Sequence, residues 1–246
     1  MATTKLELIR PDWPAPAGVA ACATTRVGGV SKGPWAGLNL AMHVDDDPAA
    51  VSENRSRLSR ALGLPSEPRW LEQVHGTRVV QPGDAETCAD ACFEDRAGRV
   101  CVVMTADCLP VLFCNKDGTR VAAAHAGWRG LLNGVLEQTT VGFGDRPGDL
   151  LAWLGPAIGP DAFEVGDEVR SAFVEQHASA ATCFAAARAG HWMADLYRLA
   201  RQRLSRLGIE SVYGGDRCTF SEPAHFYSYR RDGVTGRMAS LIWLKP

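Results

Sequence analysis

Three side chains able to hold a metal or attack a carbon atom stand where short apolar runs give way to turn-forming residues: His75 in WLEQVHG, Cys108 in MTADCLPVLF and His125 in VAAAHAGWRG. A thiolate and two neutral imidazoles suit Zn²⁺, and three protein ligands leave a fourth tetrahedral position for water or substrate. A cation so bound lowers the pKa of water and polarises a ring nitrogen or a carbonyl oxygen. Cysteine with two histidines also suits Cu²⁺, although an electron-transfer copper usually adds a weak axial ligand. The same residues have two metal-free readings. Cys108 can be a nucleophile activated by His75 or His125, or all three can be core and turn residues, because separations this long form no local metal-binding pattern. Spacing alone leaves these alternatives open.

Other residues qualify the picture. Asp107 precedes Cys108 and reads either as a general acid/base or histidine-orienting group, or as a strand-end turn residue whose side chain points the other way. Arg129 lies four residues beyond His125, and Arg230 and Arg231 follow the aromatic run FYSY. Each can bind an anion or make a structural ion pair. Cys88 and Cys92 are closely spaced, yet their segment offers no second Cys or His pair to complete a structural zinc site. Neither GxxxxGK[ST] nor GxGxxG occurs, so the standard phosphate loops are excluded. The HxE and PCxxC strings of the familiar zinc deaminases are also missing.

Residues so far apart can meet where loops leave a rigid sheet. From Trp70 to His125 the chain alternates short apolar runs (WLEQV, RVV, VCVVMT, PVLFC, VAAAH) with Gly, Asn, Asp and Lys, which predicts strands. NKDG at Asn115 to Gly118 predicts a hairpin turn. A helix is expected from Asp47 to Gly63, with Pro48 in its first turn and Val51, Leu58 and Leu62 near one face. Further helices are expected over 131–141, Asp167 to His177 and Asp195 to Leu207, the last with leucines inward and arginines opposite. Residues 24–40 read as a loop, LLAWLG as a buried strand, and Ser211–Tyr213, Phe226–Tyr229 and Met238–Leu244 as strands. Strands and helices mix without a regular alternation, which is the α+β class.

The 246 residues, 46% hydrophobic and 22% charged, are enough for a sizeable core and predict one domain over 1–246. A net charge of -2 supplies no excess of Lys and Arg to neutralise a nucleic-acid backbone. No apolar run approaches the ~20 residues of a membrane helix, and MATTKLELIRPDWPAP lacks the apolar stretch of a secretory signal. The expectation is a cytoplasmic protein whose eight cysteines stay reduced, with Cys101 and Cys114 as small packing residues.

The strings QVHG, TADCLPVLF, AHAGWRG, LGPAIGP, FYSYRRDG and TGRMASLIWL, with GGVSKGP and LNLAMHV before them, resemble the YfiH-type family from about Thr24 to Leu244. The resemblance implies a layered α/β/β/α sandwich with mixed sheets, related to Cys-His hydrolase folds. It implies a metal held by His75, Cys108 and His125, which would also be the catalytic residues. Members of the family have been called laccase-domain polyphenol oxidases and, later, purine nucleoside phosphorylases with adenosine deaminase and methylthioadenosine phosphorylase activities. A peptidoglycan-editing role has also been reported. The leading expectation is therefore a zinc enzyme acting on purine nucleosides and phosphate, with Asn39 of LNL and Arg55 of SENRSRL as substrate-binding candidates. The alternatives are a copper polyphenol oxidase and a Cys-His hydrolase of peptidoglycan precursors. Authentic multicopper oxidases need more histidine ligands than the six present.

Overall fold

A computed structural model describes residues 5–246. The chain opens with β1 (Leu8–Ile9) and β2 (Val19–Thr24), crosses a long loop, and enters α1 (Pro48–Leu62). This helix begins and ends for the reasons its sequence gives. The Asp47 carboxylate accepts from Ala49 N, Pro48 sits where a missing N–H costs nothing, and Gly63 takes the left-handed conformation that closes the last turn. Short β3 (Val79–Val80) and β4 (Ala91–Glu94) precede β5 (Val100–Thr105), β6 (Leu109–Asn115) and β7 (Val121–Ala126). The β6–β7 hairpin turns on NKDG, with Gly118 N donating to Asn115 O at 3.0 Å.

The helix expected over 131–141 starts earlier and is split. Gly134, at φ 97, separates α2 (Trp128–Asn133) from α3 (Val135–Val141). The chain then forms β8 (Leu150–Leu154), β9 (Glu164–Gly166), α4 (Asp167–Gln176), β10 (Phe184–Ala186), β11 (His191–Ala194) and α5 (Leu196–Arg206). It ends with β12 (Ser211–Gly214), the single turn α6 (Tyr229–Asp232) and β13 (Met238–Leu244). In α5 the leucines face inward as the periodicity predicts, but Arg203 is buried with them. Its guanidinium is matched by Glu137 Oε1 at 2.6 Å and Gln176 Oε1 at 2.7 Å, so the charge is paired where it is desolvated.

Two sheets carry the architecture. One is antiparallel, in the order β1-β2-β13-β5. The other, in the order β12-β8-β6-β7-β4-β3, mixes parallel pairs at both edges with antiparallel pairs between them. Their facing side chains, among them Val103, Leu112, Val121, Leu151 and Ile242, form one core layer. Outside the four-stranded sheet, Leu38, Leu40 and Leu58 of α1 and its preceding loop pack on Val102 and Leu241. Outside the six-stranded sheet, α2 to α5 cover Phe113, Ala124 and Ala152. The result is an α+β fold with α/β/β/α layering.

Two expected strands are not strands. Residues 70–74 run extended but make only isolated bridges near by, Arg69 to Cys101 and Glu72 to Cys88. The amide side chain of Gln73 instead supplies the pair of hydrogen bonds to Met104 N and Met104 O that a neighbouring backbone would make. Residues 226–229 break because Ser228 caps α6, its hydroxyl accepting from Arg231 N. Conversely β2 and β4 were not marked by sequence pattern, since VAACAT and ACFE are short and lack alternation.

Candidate metal centre and its cavity

Cys108 sits where the chain passes from one sheet to the other, in the turn between β5 and β6. The turn requires Asp107 at φ 96, a conformation unfavourable for a side chain. The Asp107 carboxylate compensates by accepting from Thr219 Oγ1 at 2.6 Å, Ser228 Oγ at 3.0 Å and Arg230 N at 2.7 Å. Of the two roles open to Asp107, the structure selects the structural one. It ties the turn to α6 and touches neither histidine.

His125 is near the end of β7, paired with Pro110 of β6, and is almost fully buried. His75 arrives on the loop before β3 at φ 61. One buried carboxylate fixes both. Asp90, just ahead of β4, accepts from His125 Nδ1 at 2.8 Å and from the backbone N of His75 at 2.9 Å through Oδ1. Its Oδ2 accepts from Gly76 N at 2.6 Å and Val74 N at 3.2 Å. Burial pushes the Asp90 carboxyl up, but the His125 bond and the backbone donors outweigh it and hold the group below the ordinary carboxylate value. Because Nδ1 of His125 is committed to Asp90, Nε2 is left for the site.

The ligand atoms of His75, Cys108 and His125 lie within 4.8 Å of one another, the one such cluster among the described residues. Cys108 Sγ is 3.8 Å from His75 Nε2, and the two imidazole rings meet edge to face at 4.8 Å. Burial raises the Cys108 thiol, yet the charge and hydrogen bonds of His125 and His75 together bring it down to about 6. Burial opposes the charge on His125, and the facing thiolate with Asp90 raises it to about 9. The two shifts run in opposite directions, which favours moving the thiol proton onto the imidazole. A divalent cation held by these three residues would compete with that proton for His125 and keep the thiolate.

Gly127 confirms how closely the site is built. A Cβ there would stand 2.9 Å from His75 Cδ2 and 3.1 Å from Cys108 Sγ. Its φ of -60° and ψ of 158° suit any residue, so alanine would be excluded by the ligands and not by the backbone. Gly127→Ala is expected to cut metal affinity at least about tenfold, as disturbed ligand geometry does, with little change in melting temperature. Metal titration of the purified variant measures this. Full affinity would show that the two ligands do not converge as described.

The cluster opens into a cavity of about 500 Å³ whose wall includes His43, Met104, Arg129, Tyr229 and Arg237. The candidate residues divide accordingly. His75, Cys108, His125 and Arg129 come together at this cavity. Asn39 is fully buried beside it, and Arg55 is outside its wall, stacked at 3.9 Å on Trp70 and donating to Leu40 O. Arg231 is absorbed by Asp232 and three backbone carbonyls, and Arg230 donates to Glu164 O. Cys88 and Cys92 form no metal cluster among the described residues, and Cys92 packs between the sheets. Sequence reading missed Asp90, His43 and Arg237. The last two lie inside LNLAMHV and TGRMASLIWL, but no spacing marks them as partners.

Among the described residues no helix is long and apolar enough to cross a membrane. Residues 20–245 match the family model described as multi-copper polyphenol oxidoreductase laccase. The purine nucleoside phosphorylase YfiH of Escherichia coli is 58% identical over 241 residues, covering 97% of this chain and 99% of its own. A purine nucleoside phosphorylase of Pseudomonas aeruginosa is 58% identical over 239 residues, covering 96% and 98%. Among solved structures, a Neisseria meningitidis protein superposes with a TM-score of 0.93 at 51% identity, covering 97% of this chain and 99% of the other. YlmD from Geobacillus stearothermophilus does so at 0.87 and 32%, covering 99% of both.

Proposed function

The chain belongs to the YfiH-type family, described as multi-copper polyphenol oxidoreductase laccase, and from that membership and the geometry of its site we propose that it is a zinc-dependent purine nucleoside phosphorylase. The observation that carries the reading is one His/Cys/His cluster opening onto a nucleoside-sized cavity with positive charge in its wall. Three ligands in a single cluster, two imidazoles and one thiolate, suit one zinc better than a set of coppers.

The proposed substrates are adenosine, inosine and methylthioadenosine. In phosphorolysis a phosphate oxygen attacks C1′, the C1′–N9 bond breaks, and the base leaves with the bonding pair and takes up a proton. The cation, when bound, supplies a positive charge that polarises the purine ring. The chain's own groups do the rest. Asp90 holds His125 with Nδ1 turned away, the Asp107 turn fixes Cys108, and Gly127 lets His75 and Cys108 approach. Tyr229 and Met104 provide apolar surface for a flat base, and Arg129 and Arg237 favour an anionic co-substrate. Hydrolytic deamination of adenosine at C6 belongs to the same proposal.

A second reading has its own support. Cys108, His125 and Asp90 are a thiol, an imidazole and an orienting carboxylate in line, the arrangement of a cysteine nucleophile. A thiolate bound to a cation shares the electron pair that would attack and is a weaker nucleophile, so the two uses of Cys108 compete. Protein purified without added metal is expected to contain about one zinc per chain, and removing it with a chelator to abolish turnover until zinc is restored. Elemental analysis with an activity assay tests this. Full turnover by zinc-free protein, with cleavage of an amide, would transfer the site to the hydrolase reading.

A further inference from the structure

Arg237 is a partly buried cation without a carboxylate partner among the described residues. Its Nη1 donates to Thr235 O at 3.0 Å and Gly236 O at 3.1 Å, while Nε and Nη2 make no hydrogen bond among the described residues. Burial pushes the guanidinium below its ordinary value. It remains charged, since arginine starts so high. The Tyr229 ring at 5.9 Å and the Cys108 and Asp107 charges offset its burial only in part. A desolvated guanidinium with no hydrogen-bonded carboxylate is therefore costly until an anion pairs with it. Arg129, the other cation of the wall, is exposed and lies 4.5 Å over the Trp128 ring, so water and the ring already compensate it.

His43 lines the same cavity, and among the described residues no hydrogen bond engages its ring. Burial first, then Arg237 and Arg55, hold its pKa below the ordinary value against Glu72, so the imidazole is neutral, with one N–H to donate.

A single buried bracket sets the two residues relative to each other. Asn39 Oδ1 accepts from Arg237 N at 2.9 Å and from Ala41 N at 3.1 Å. Asn39 Nδ2 donates to Asp46 Oδ2 at 2.9 Å, closing the loop that carries His43, and Ser31 Oγ donates to the same oxygen at 2.6 Å. Leu40 N donates to Arg237 O, so both backbone groups of Arg237 are tied to that loop. The approach needs Gly236, where a Cβ would stand 2.9 Å from Asn39 Cβ and 2.8 Å from the Tyr227 ring.

We propose that Arg237 and His43 form the subsite for inorganic phosphate, with Asn39 as its positioning residue. That the anion is inorganic phosphate rests on the phosphorolysis reading; the anion site itself rests on the unpaired guanidinium and the bracket. Arg237 supplies two N–H donors and the charge, and His43 a third donor from the opposite loop. The Asn39 amide, saturated by its own bonds, acts on the anion only through Arg237.

The test titrates the zinc-loaded protein with inorganic phosphate in the absence of nucleoside, by calorimetry, with chloride as the ionic-strength control and a nucleoside 5′-monophosphate as a second ligand. Wild type is expected to bind phosphate saturably, Arg237→Met to bind it at least about tenfold more weakly, and His43→Ala several-fold more weakly, as lost charge-assisted hydrogen bonds predict. Arg129→Met, which removes an exposed cation of the same wall, should weaken phosphate binding far less than Arg237→Met. In turnover, Asn39→Ala should raise KM for phosphate and leave KM for nucleoside, a split that general loosening would not give. Circular dichroism checks each variant, and His43→Ala carries the comparison if Arg237→Met does not fold. Unchanged phosphate binding in folded Arg237→Met and His43→Ala, loss only in Arg129→Met, or binding of the monophosphate alone overturns the subsite. Phosphate bound through Arg237 and His43 without any nucleoside cleavage upholds the subsite and removes phosphorolysis. Phosphorolysis with an unchanged phosphate KM in both variants does the reverse.

Discussion

Cys108→Ala is expected to abolish turnover and to reduce bound zinc well below one per chain, whereas Cys101→Ala and Cys114→Ala keep both. The difference lies in surroundings. Cys108 faces two imidazoles that stabilise its thiolate. Cys101 is held far above its ordinary value by its contact with Cys92 and by burial, and burial alone pushes Cys114 up to about 12. Neither ionises near neutrality, and both pack between the sheets. Truncating such a small side chain costs on the order of 1 kcal/mol, felt as a lower melting temperature. Zinc content, turnover and melting temperature measured on the three variants separate the roles. A Cys108→Ala protein with full zinc and no turnover would make the sulfur a nucleophile beside the metal, and one with both intact would leave Cys108 a packing residue.

Asp90→Asn should have the next largest effect, because one carboxylate serves four donors. An amide keeps one acceptor and presents N–H to the donors on its other side, leaving them buried and unpaired. The expected cost is about 2–4 kcal/mol of stability and a 10- to 100-fold loss of metal affinity, the usual range for a group that orients a metal-bound histidine. The nitrogen chemical shifts of His125 report the tautomer directly: Nδ1 should carry the proton in the parent and lose its fixed preference in the variant. Unchanged shifts and affinity would mean that Asp90 acts only on the 74–76 turn. The sign of the pH dependence follows from the carboxyl being held below its unfolded value. Asp90 contributes its full stability above about pH 4, the unfolded value, and loses it as pH falls through the lower folded value. Asp90→Asn should flatten that acid limb.

That His75, Cys108 and His125 could meet was legible in residue types, because they stand at the ends of apolar runs, where sheet loops converge; that they would hold a metal was implied only by the family resemblance. The helices were legible where capping and periodicity agreed, as at Asp47, Pro48 and Gly63 around α1. What sequence could not show was which polar residue serves which. Asp107, adjacent to Cys108, is turned away by its own backbone and bonded to groups more than a hundred residues distant, while Asp90, between two unremarkable cysteines, reaches both histidines. Asn39 likewise looks like a ligand-binding amide in a short loop, but its bonds hold the backbone of Arg237, 198 positions along the chain. Such pairings depend on tertiary approach and leave no period or motif. The strand expected over 70–74 failed for a related reason: Gln73 uses its side chain where pattern reading assumes backbone.

The most direct test of the account is product analysis of zinc-loaded protein incubated with inosine, with and without inorganic phosphate. Separation by chromatography should give hypoxanthine and ribose 1-phosphate in equal amounts only when phosphate is present, and neither from Cys108→Ala. Absence of hypoxanthine from the zinc-loaded, phosphate-supplied protein, with adenosine and methylthioadenosine equally untouched, would contradict it.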